Sequence, residues 1–350
     1  YYAVDSHLNF PWQRNYAALF DVLFVAQKDY VESFRQWGSP SARWLPLASS
    51  AASDKLLGLP RDIDVCFVGK LDPRIHPERV TFLDRLKAKL NGNVRLVMTS
   101  GAYVETYNRS RIVLNESINR DLNQRTFEAL ACGGMLLTEE MENGLTDLFE
   151  PGRDLVTYRH GDVDQVADLI RYYLEHETER SAVAESGHKK VLERHTSEHR
   201  AREVAGVLRK ALTQHVPHPW SAREYGLLGR TCLMLVYPDS PVFAERMELA
   251  AGLLSRAAQA GGTSGVSPYL ALLSILKRQP AEAIRHLTEA MGKPADRPVA
   301  AWIFALLLSG QDQGRAEAYY QAVITDLMSG PPVSPEQLEC FQMASFILGD

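Results

Sequence analysis

Between residues 62 and 212 the chain alternates short apolar runs with longer amphipathic ones, and no other feature restricts its fold so strongly. Strands are expected at 64–68, 94–98, 111–114, 135–138 and 155–158, interleaved with helices at 77–90, 103–109, 122–131, 145–149, 163–176 and 179–212. Strand–helix–strand units of this length close as right-handed crossovers, so the strands lie parallel in one sheet with helices on both faces. The fold class read from the pattern is α/β, a doubly wound parallel sheet.

Residues 1–60 offer three strand candidates, 1–4, 21–26 and 43–47, and one helix at 29–37 that Gly38 ends. So few helices would leave a parallel sheet uncovered, which reads as the last part of a second α/β domain, with further sequence expected upstream. Small residues and Gly58-Leu59-Pro60 mark 48–60 as a linker. Beyond the break at Pro217-His218-Pro219 the pattern is helical. Ala281-Glu282-Ala283-Ile284 returns 35 residues later as Ala316-Glu317-Ala318-Tyr319, and Glu248-Leu249-Ala250 stands 34 residues before Glu282. That is the spacing of stacked helix pairs, each burying its neighbour's apolar face, and it resembles tetratricopeptide-type repeats. Three parts are therefore expected: 1–59, 60–213 and 217–350.

Composition matters for what it excludes. A net charge of -5 supplies no basic field to attract nucleic acid or an anionic membrane surface. Cys66, Cys132, Cys232 and Cys340 are far apart and form no CxxC pair, so neither a zinc knuckle nor a disulfide scaffold is indicated, and a reducing cytoplasm is expected. No run approaches the ~18 apolar residues of a membrane span.

The chemistry concentrates in residues 115–138. Asp121 is a suitable N-cap for the helix at 122–131, Gly133 or Gly134 can end it in the left-handed conformation, and Phe127, Leu130 and Ala131 form its apolar stripe. Gln124, Arg125 and Glu128 then share the face turned from the core. A helix start at the C-terminal edge of a parallel sheet presents unpaired amides and partial positive charge, a binding site for phosphates. Arg125 can offer a planar fork to a diphosphate, and Glu128, one turn in, can accept two vicinal hydroxyls such as those of a ribose. The same two residues, three apart, are also spaced for an exposed ion pair. Tyr103, after the second strand, either stacks on a nucleobase or packs in the core. A dehydrogenase is disfavoured because no GxGxxG run follows the strand at 64–68.

The run Asn123-x-Arg125-x-Phe127-Glu128-Ala129-x-Ala131-Cys132-Gly133-Gly134 resembles the donor-site signature of family 1-type glycosyltransferases, in their spore-maturation-protein-like branch. Phe67-Val68-Gly69-Lys70, Leu148-Phe149-Glu150-Pro151-Gly152-Arg153-Asp154 and His195-Thr196-Ser197-Glu198-His199-Arg200 agree with it in order. The resemblance covers roughly residues 1–210 and implies a GT-B fold, two Rossmann-like domains facing a cleft that holds a nucleotide-diphosphate sugar. It implies that Glu128 holds the donor ribose and that Arg125, with the amides of Asn123 and Gln124, holds the diphosphate. Gly69 would admit the phosphates to the backbone and Lys70 would add charge. Neutralisation of the leaving diphosphate by these groups would need neither a metal nor another cofactor.

One position departs from the family's pattern. Many relatives carry a second acidic residue eight positions before the ribose glutamate, where this chain has Arg120. Arg120 then serves as a second phosphate clamp, or the sugar contact passes to Asp121, Asn119 or Glu116. A general base from the N-terminal part is sought in Asp5-Ser6-His7, with Asp5 or His7 as the candidate and a cap or an ordinary surface histidine as the alternative. His160, His195 and His199 read as solvated loop or helix positions. The expected activity is a metal-independent, hexosyltransferase-type transfer from a nucleotide sugar to a protein, polysaccharide or glycan acceptor recruited by the helical repeats. The alternative is a non-catalytic scaffold built on a degenerate glycosyltransferase domain.

Overall fold

The computed structural model describes residues 1–117, 119–214, 220–235, 242–261 and 265–348; the proline break at 217–219 lies outside them. The chain divides into two units. The first comprises Tyr1–Leu8, Val22–Gln36 and the chain from Pro40 to about residue 214. The second comprises Asn9–Asp21, Trp37–Ser39 and the described residues from 220 onward.

In the first unit a small parallel sheet has the order β1 (Tyr2–Ala3), β2 (Phe24–Val25), β3 (Arg43–Trp44). These strands are shorter than expected, and β1 is followed by a helix that the sequence pattern did not reveal, α1 (Ser6–Ala17), whose residues from Asn9 onward belong to the second unit; Pro11 inside it disguises it. α2 (Tyr30–Gln36) precedes β3.

The larger sheet has five parallel strands in the order β5 (Leu96–Thr99), β4 (Ile63–Val68), β6 (Ser110–Asn115), β7 (Met135–Glu139), β8 (Val156–Tyr158). Its connections carry α3 (Pro77–Leu90), α4 (Tyr103–Arg109), α5 (Gln124–Ala131), α6 (Leu145–Leu148), α7 (Val163–Glu175), α8 (Glu177–Arg194) and α9 (Ser197–Leu212). The Rossmann-like α/β reading holds. The chain leaves β4 toward β5 on one side and returns to β6 on the other, so a topological switch point lies at the C-terminal ends of β4 and β6.

Each central strand is apolar on both faces because both are covered. Cys66, Val113 and Leu136 pack with Phe127 and Leu130 of α5 on one face, while Phe67, Ile112, Leu114 and Leu137 pack with Leu83 of α3 and Ile170 of α7 on the other. Full burial of each such side chain stabilises the fold by roughly 1.5–3 kcal/mol. Gly187 allows α8 to cross closely, since a Cβ there would stand 2.1 Å from the Asp154 carbonyl oxygen.

The single helix expected over 179–212 is two. Thr196 is extended at φ -91°, ψ 163°, because the segment 48–60 docks here: Ser49 N donates to the His195 carbonyl at 3.0 Å and Ser197 N to the Ser49 carbonyl at 2.8 Å. Val204, Val207 and Ala211 of α9 then pack on Val22, Phe24 and Leu45 of the small sheet.

The helical unit contains α10 (Ala222–Met234), α11 (Phe243–Gln259), α12 (Val266–Leu276), α13 (Pro280–Met291), α14 (Arg297–Leu308), α15 (Gln313–Ser329) and α16 (Pro335–Leu348). α10 packs against α11, α12 against α13 and α14 against α15. The buried alanines Ala250, Ala283 and Ala316 recur every 33 residues on the second helix of each pair, where a small side chain permits close approach. A shared core of Leu254, Tyr269, Leu272, Leu287 and Ile303 joins the pairs.

Candidate functional site

α5 begins two residues later than expected. Its N-cap is Asn123, not Asp121: the Asn123 side chain accepts from Thr126 N at 3.3 Å, and its amide nitrogen donates to Asn115 Oδ1 of β6 at 3.1 Å. Asp121 is instead buried, its carboxyl raised by burial, with the charges of His7 and Asp5 bearing on it. The first helical amides are thus those of Gln124 and Arg125, one position past the expected pair, and neither has an acceptor within the helix.

Arg125 Nη1 donates to Asn115 Oδ1 at 2.7 Å and to the Glu116 carbonyl at 3.1 Å, and its guanidinium lies 4.7 Å from the Phe67 ring centre. Burial lowers its pKa, so the cation is held at an energetic cost that a bound anion would relieve. Its Nη2 would stand 2.6 Å from a Cβ at position 69, so Gly69, which ends β4, makes room for this guanidinium. Arg125 and Gly69 therefore meet at the switch point. Lys70 follows in the same loop and is exposed.

Glu128 forms no ion pair with Arg125, so the alternative reading of the two as an exposed pair does not hold. Burial first, and the Asp54 charge second, push the Glu128 carboxyl up to about 7. Asp54 belongs to the 48–60 segment and is itself satisfied: it accepts from Ser50 N at 2.7 Å, Ser53 Oγ at 2.9 Å and Tyr103 Oη at 2.9 Å. Tyr103 packs edge-on against Tyr107 and holds this segment, and burial with Asp54 raises its pKa. The Gln124 side chain donates to the Ala48 carbonyl at 2.7 Å, a second tie between α5 and the segment.

The acidic candidates near Arg120 are otherwise engaged. Glu116 Oε2 pairs with Arg79 of α3 at 2.5 Å and the Glu116 carbonyl accepts from Arg79 Nη2 at 3.1 Å, while the Arg79 guanidinium sits 5.4 Å from the Phe67 ring centre. Asn119 and Arg120 have φ of 64° and 52°, and Arg120 Nη2 donates to the Glu140 carbonyl at 3.3 Å. Arg120 is exposed and lies in the loop that leads into α5.

Asp5 and His7 follow the C-terminal end of β1. Asp5 is exposed at φ 54° and its carbonyl accepts from Leu8 N, so it turns the chain from β1 into α1. His7 Nδ1 is buried without a hydrogen-bond partner. Both are close enough to Asp121 to influence its carboxyl.

Residues that local spacing did not single out complete this edge. Asn115 gathers Arg125, Asn123 and Thr138 Oγ1, and its carbonyl accepts from Tyr158 Oη at 2.9 Å. Glu139, fully buried at the end of β7, accepts from Ser117 N and meets His160. An acidic residue directly after an apolar strand was the available signal; its partner lies 21 residues away.

Residues 75–206 match a family model described as glycosyl transferase-like. Solved structures similar to this chain include a sucrose-phosphate synthase from Thermosynechococcus elongatus, 16% identical with a TM-score of 0.47, over 58% of this chain and 61% of that one. Another is HepE from Anabaena in complex with UDP and glucose, 15% identical with a TM-score of 0.49, over 60% and 70%. A third is a glycosyltransferase from Rickettsia africae, 10% identical with a TM-score of 0.46, over 61% and 69%. The comparison with curated proteins found no match. The stretch that matches the glycosyl transferase-like family model, residues 75–206, lies within the α/β unit and runs from the loop after β4 to α9.

Proposed function

We propose that the α/β unit binds a nucleotide-diphosphate sugar along the start of α5 and transfers the sugar to a hydroxyl acceptor. The carrying observation is the meeting of Arg125 with Gly69 at the switch point, one turn from a half-buried carboxyl, Glu128, that forms no ion pair among the described residues. The Gln124 and Arg125 amides, the Arg125 guanidinium and Lys70 neutralise the leaving diphosphate electrostatically, without calling on a metal. Glu128 accepts the two ribose hydroxyls in its ionised form. Tyr103, tied to Asp54, shapes the nucleoside side of the site.

The helical repeats recruit a protein, polysaccharide or glycan acceptor. A cavity of about 1060 Å³ within the helical unit supports that role, lined among others by Arg223, Arg230, Tyr269 and Asp296. Cysteines that stand far apart in the chain with no CxxC pair suit a reducing compartment such as the cytoplasm, and no described helix is long and apolar enough to cross a membrane. The engagement of Glu116 by Arg79, together with Arg120 in the acidic position, favours a second reading, a nucleotide-binding scaffold without turnover.

Isothermal titration with UDP and GDP, followed by turnover of the corresponding sugar donors, separates the two. Binding that Glu128→Ala abolishes, with donor turnover by the unaltered chain, is expected for the enzyme. Binding without turnover of any donor establishes the scaffold, and binding of neither nucleotide removes both readings.

A further inference from the structure

Glu139 is a carboxylate with no exposed surface at the C-terminal end of β7. Register along β7 sends Thr138 toward α5 and Glu139 toward the opposite face, beside Tyr158 of β8. Its Oε1 accepts from Ser117 N at 2.7 Å, and its Oε2 lies 2.5 Å from His160 Nδ1. Arg79, the nearest candidate cation from α3, is committed to Glu116. No Lys or Arg pairs with Glu139 among the described residues, so His160 is the group able to place a positive charge beside it.

An ionised carboxylate only accepts, so Nδ1 of a neutral His160 carries the proton and Nε2 presents its lone pair. The His160 side chain is 51% exposed. The pair therefore consists of a buried carboxyl and an imidazole that it orients through Nδ1 while half of the ring's side chain faces solvent, the arrangement by which a carboxylate positions a histidine base and stabilises the imidazolium that forms.

Its location ties it to the proposed donor site. Ser117, which holds Glu139, directly follows Glu116, whose carbonyl accepts from Arg125, and Arg120 of the same loop bonds the Glu140 carbonyl next to Glu139. The loop between β6 and α5 thus braces the diphosphate clamp on one side and the Glu139–His160 pair on the other, at the sheet edge where ligands of open α/β sheets bind.

We infer that His160 is the base that accepts the acceptor hydroxyl's proton, with Glu139 as its positioning residue; the inference rests on the glycosyl-transfer reading above. The hydroxyl proton passes to His160 Nε2 as the acceptor oxygen forms a bond to the anomeric carbon. The bond from that carbon to the diphosphate oxygen breaks, and its electron pair leaves with the nucleoside diphosphate toward Arg125 and Lys70. A single displacement of this kind inverts the anomeric configuration.

The test compares the full chain with His160→Gln, His160→Ala and Glu139→Gln, using donor turnover, the anomer of the released sugar by NMR, and titration with UDP and GDP. His160→Gln is expected to lower kcat by about a hundred- to ten-thousandfold with the nucleotide Kd within twofold. Added imidazole is expected to restore part of the His160→Ala rate, which a structural role would not produce, and the product is expected to be inverted. His160 is surface-accessible, so its variants test the inference even where Glu139→Gln fails to fold. Unchanged kcat in His160→Gln, a retained product, or nucleotide binding with no turnover by the unaltered chain overturns the dyad and leaves the donor site standing. Absence of nucleotide binding in the unaltered chain overturns the donor-site reading itself.

Discussion

Glu128→Gln is expected to make the unliganded protein more stable at pH 8 while abolishing nucleotide binding. Burial, then the Asp54 charge, raise the folded-state carboxyl from 4.5 to about 7. A carboxyl raised in this way stabilises the fold fully below pH 4.5, and that contribution is lost as the pH climbs through 7. At roughly 1.4 kcal/mol per pH unit the ceiling is about 3 kcal/mol, and solvent screening of a partly exposed side chain reduces it to about 1–2 kcal/mol. Glutamine carries no charge at any pH, so the variant escapes the penalty. The thermal midpoint of the α/β unit should rise by roughly 2–8 °C at pH 8 and by little at pH 5. Scanning calorimetry of both proteins at the two pH values measures this directly. An equal shift at both, or a Gln variant less stable at pH 8, refutes the claim that an unpaired, disfavoured carboxylate is maintained at this position.

Arg61→Met should lower unfolding stability by roughly 3–5 kcal/mol, because one guanidinium satisfies the carbonyls of Tyr107, Ser110, Cys132 and Gly133 at the ends of α4 and α5; a fall in urea midpoint at unchanged slope would show it. Gly69→Ala should weaken UDP or GDP binding at least tenfold, on the order of 1.4 kcal/mol, by driving the Arg125 guanidinium from its seat, and titration calorimetry reads the change. His195 is held down to about 4 by burial, so its contribution to stability is complete above pH 6.5 and is lost as the pH falls toward 4. His195→Asn should flatten the stability profile across that window, measured by denaturation at pH 4.5 and 7.

The five-stranded parallel sheet was legible because every strand and crossover helix carries its own period and terminates locally. Helices α3 and α4 begin and end where the pattern placed them. What escaped depends on distant residues. The break between α8 and α9 exists because Ser49 bridges to Thr196, and α1 hides a proline in a stretch without a clear apolar stripe. Asp121 and Asn123 are equally good caps in isolation; the choice is made by Asn115 on β6, which grips Asn123.

The α5 residues were likewise readable, since Arg125 and Glu128 sit in one local run. Their surroundings were not. Asp54 reaches Tyr103 across 49 positions, Arg79 reaches Glu116 across 37 and Glu139 reaches His160 across 21, so no spacing within a window announces these pairs. Family resemblance singled out Arg125 and Gly69 as candidates, but it did not indicate that Gly69 accommodates the Arg125 guanidinium or that Glu116 is already paired.

The most direct test of the central claim is a crystal of this chain soaked with UDP or GDP. The account predicts electron density for the diphosphate against the Gln124 and Arg125 amides and the Arg125 guanidinium, with both ribose hydroxyls on the Glu128 carboxylate. Nucleotide density at another part of the sheet, or on the helical unit with the start of α5 unoccupied, would contradict it.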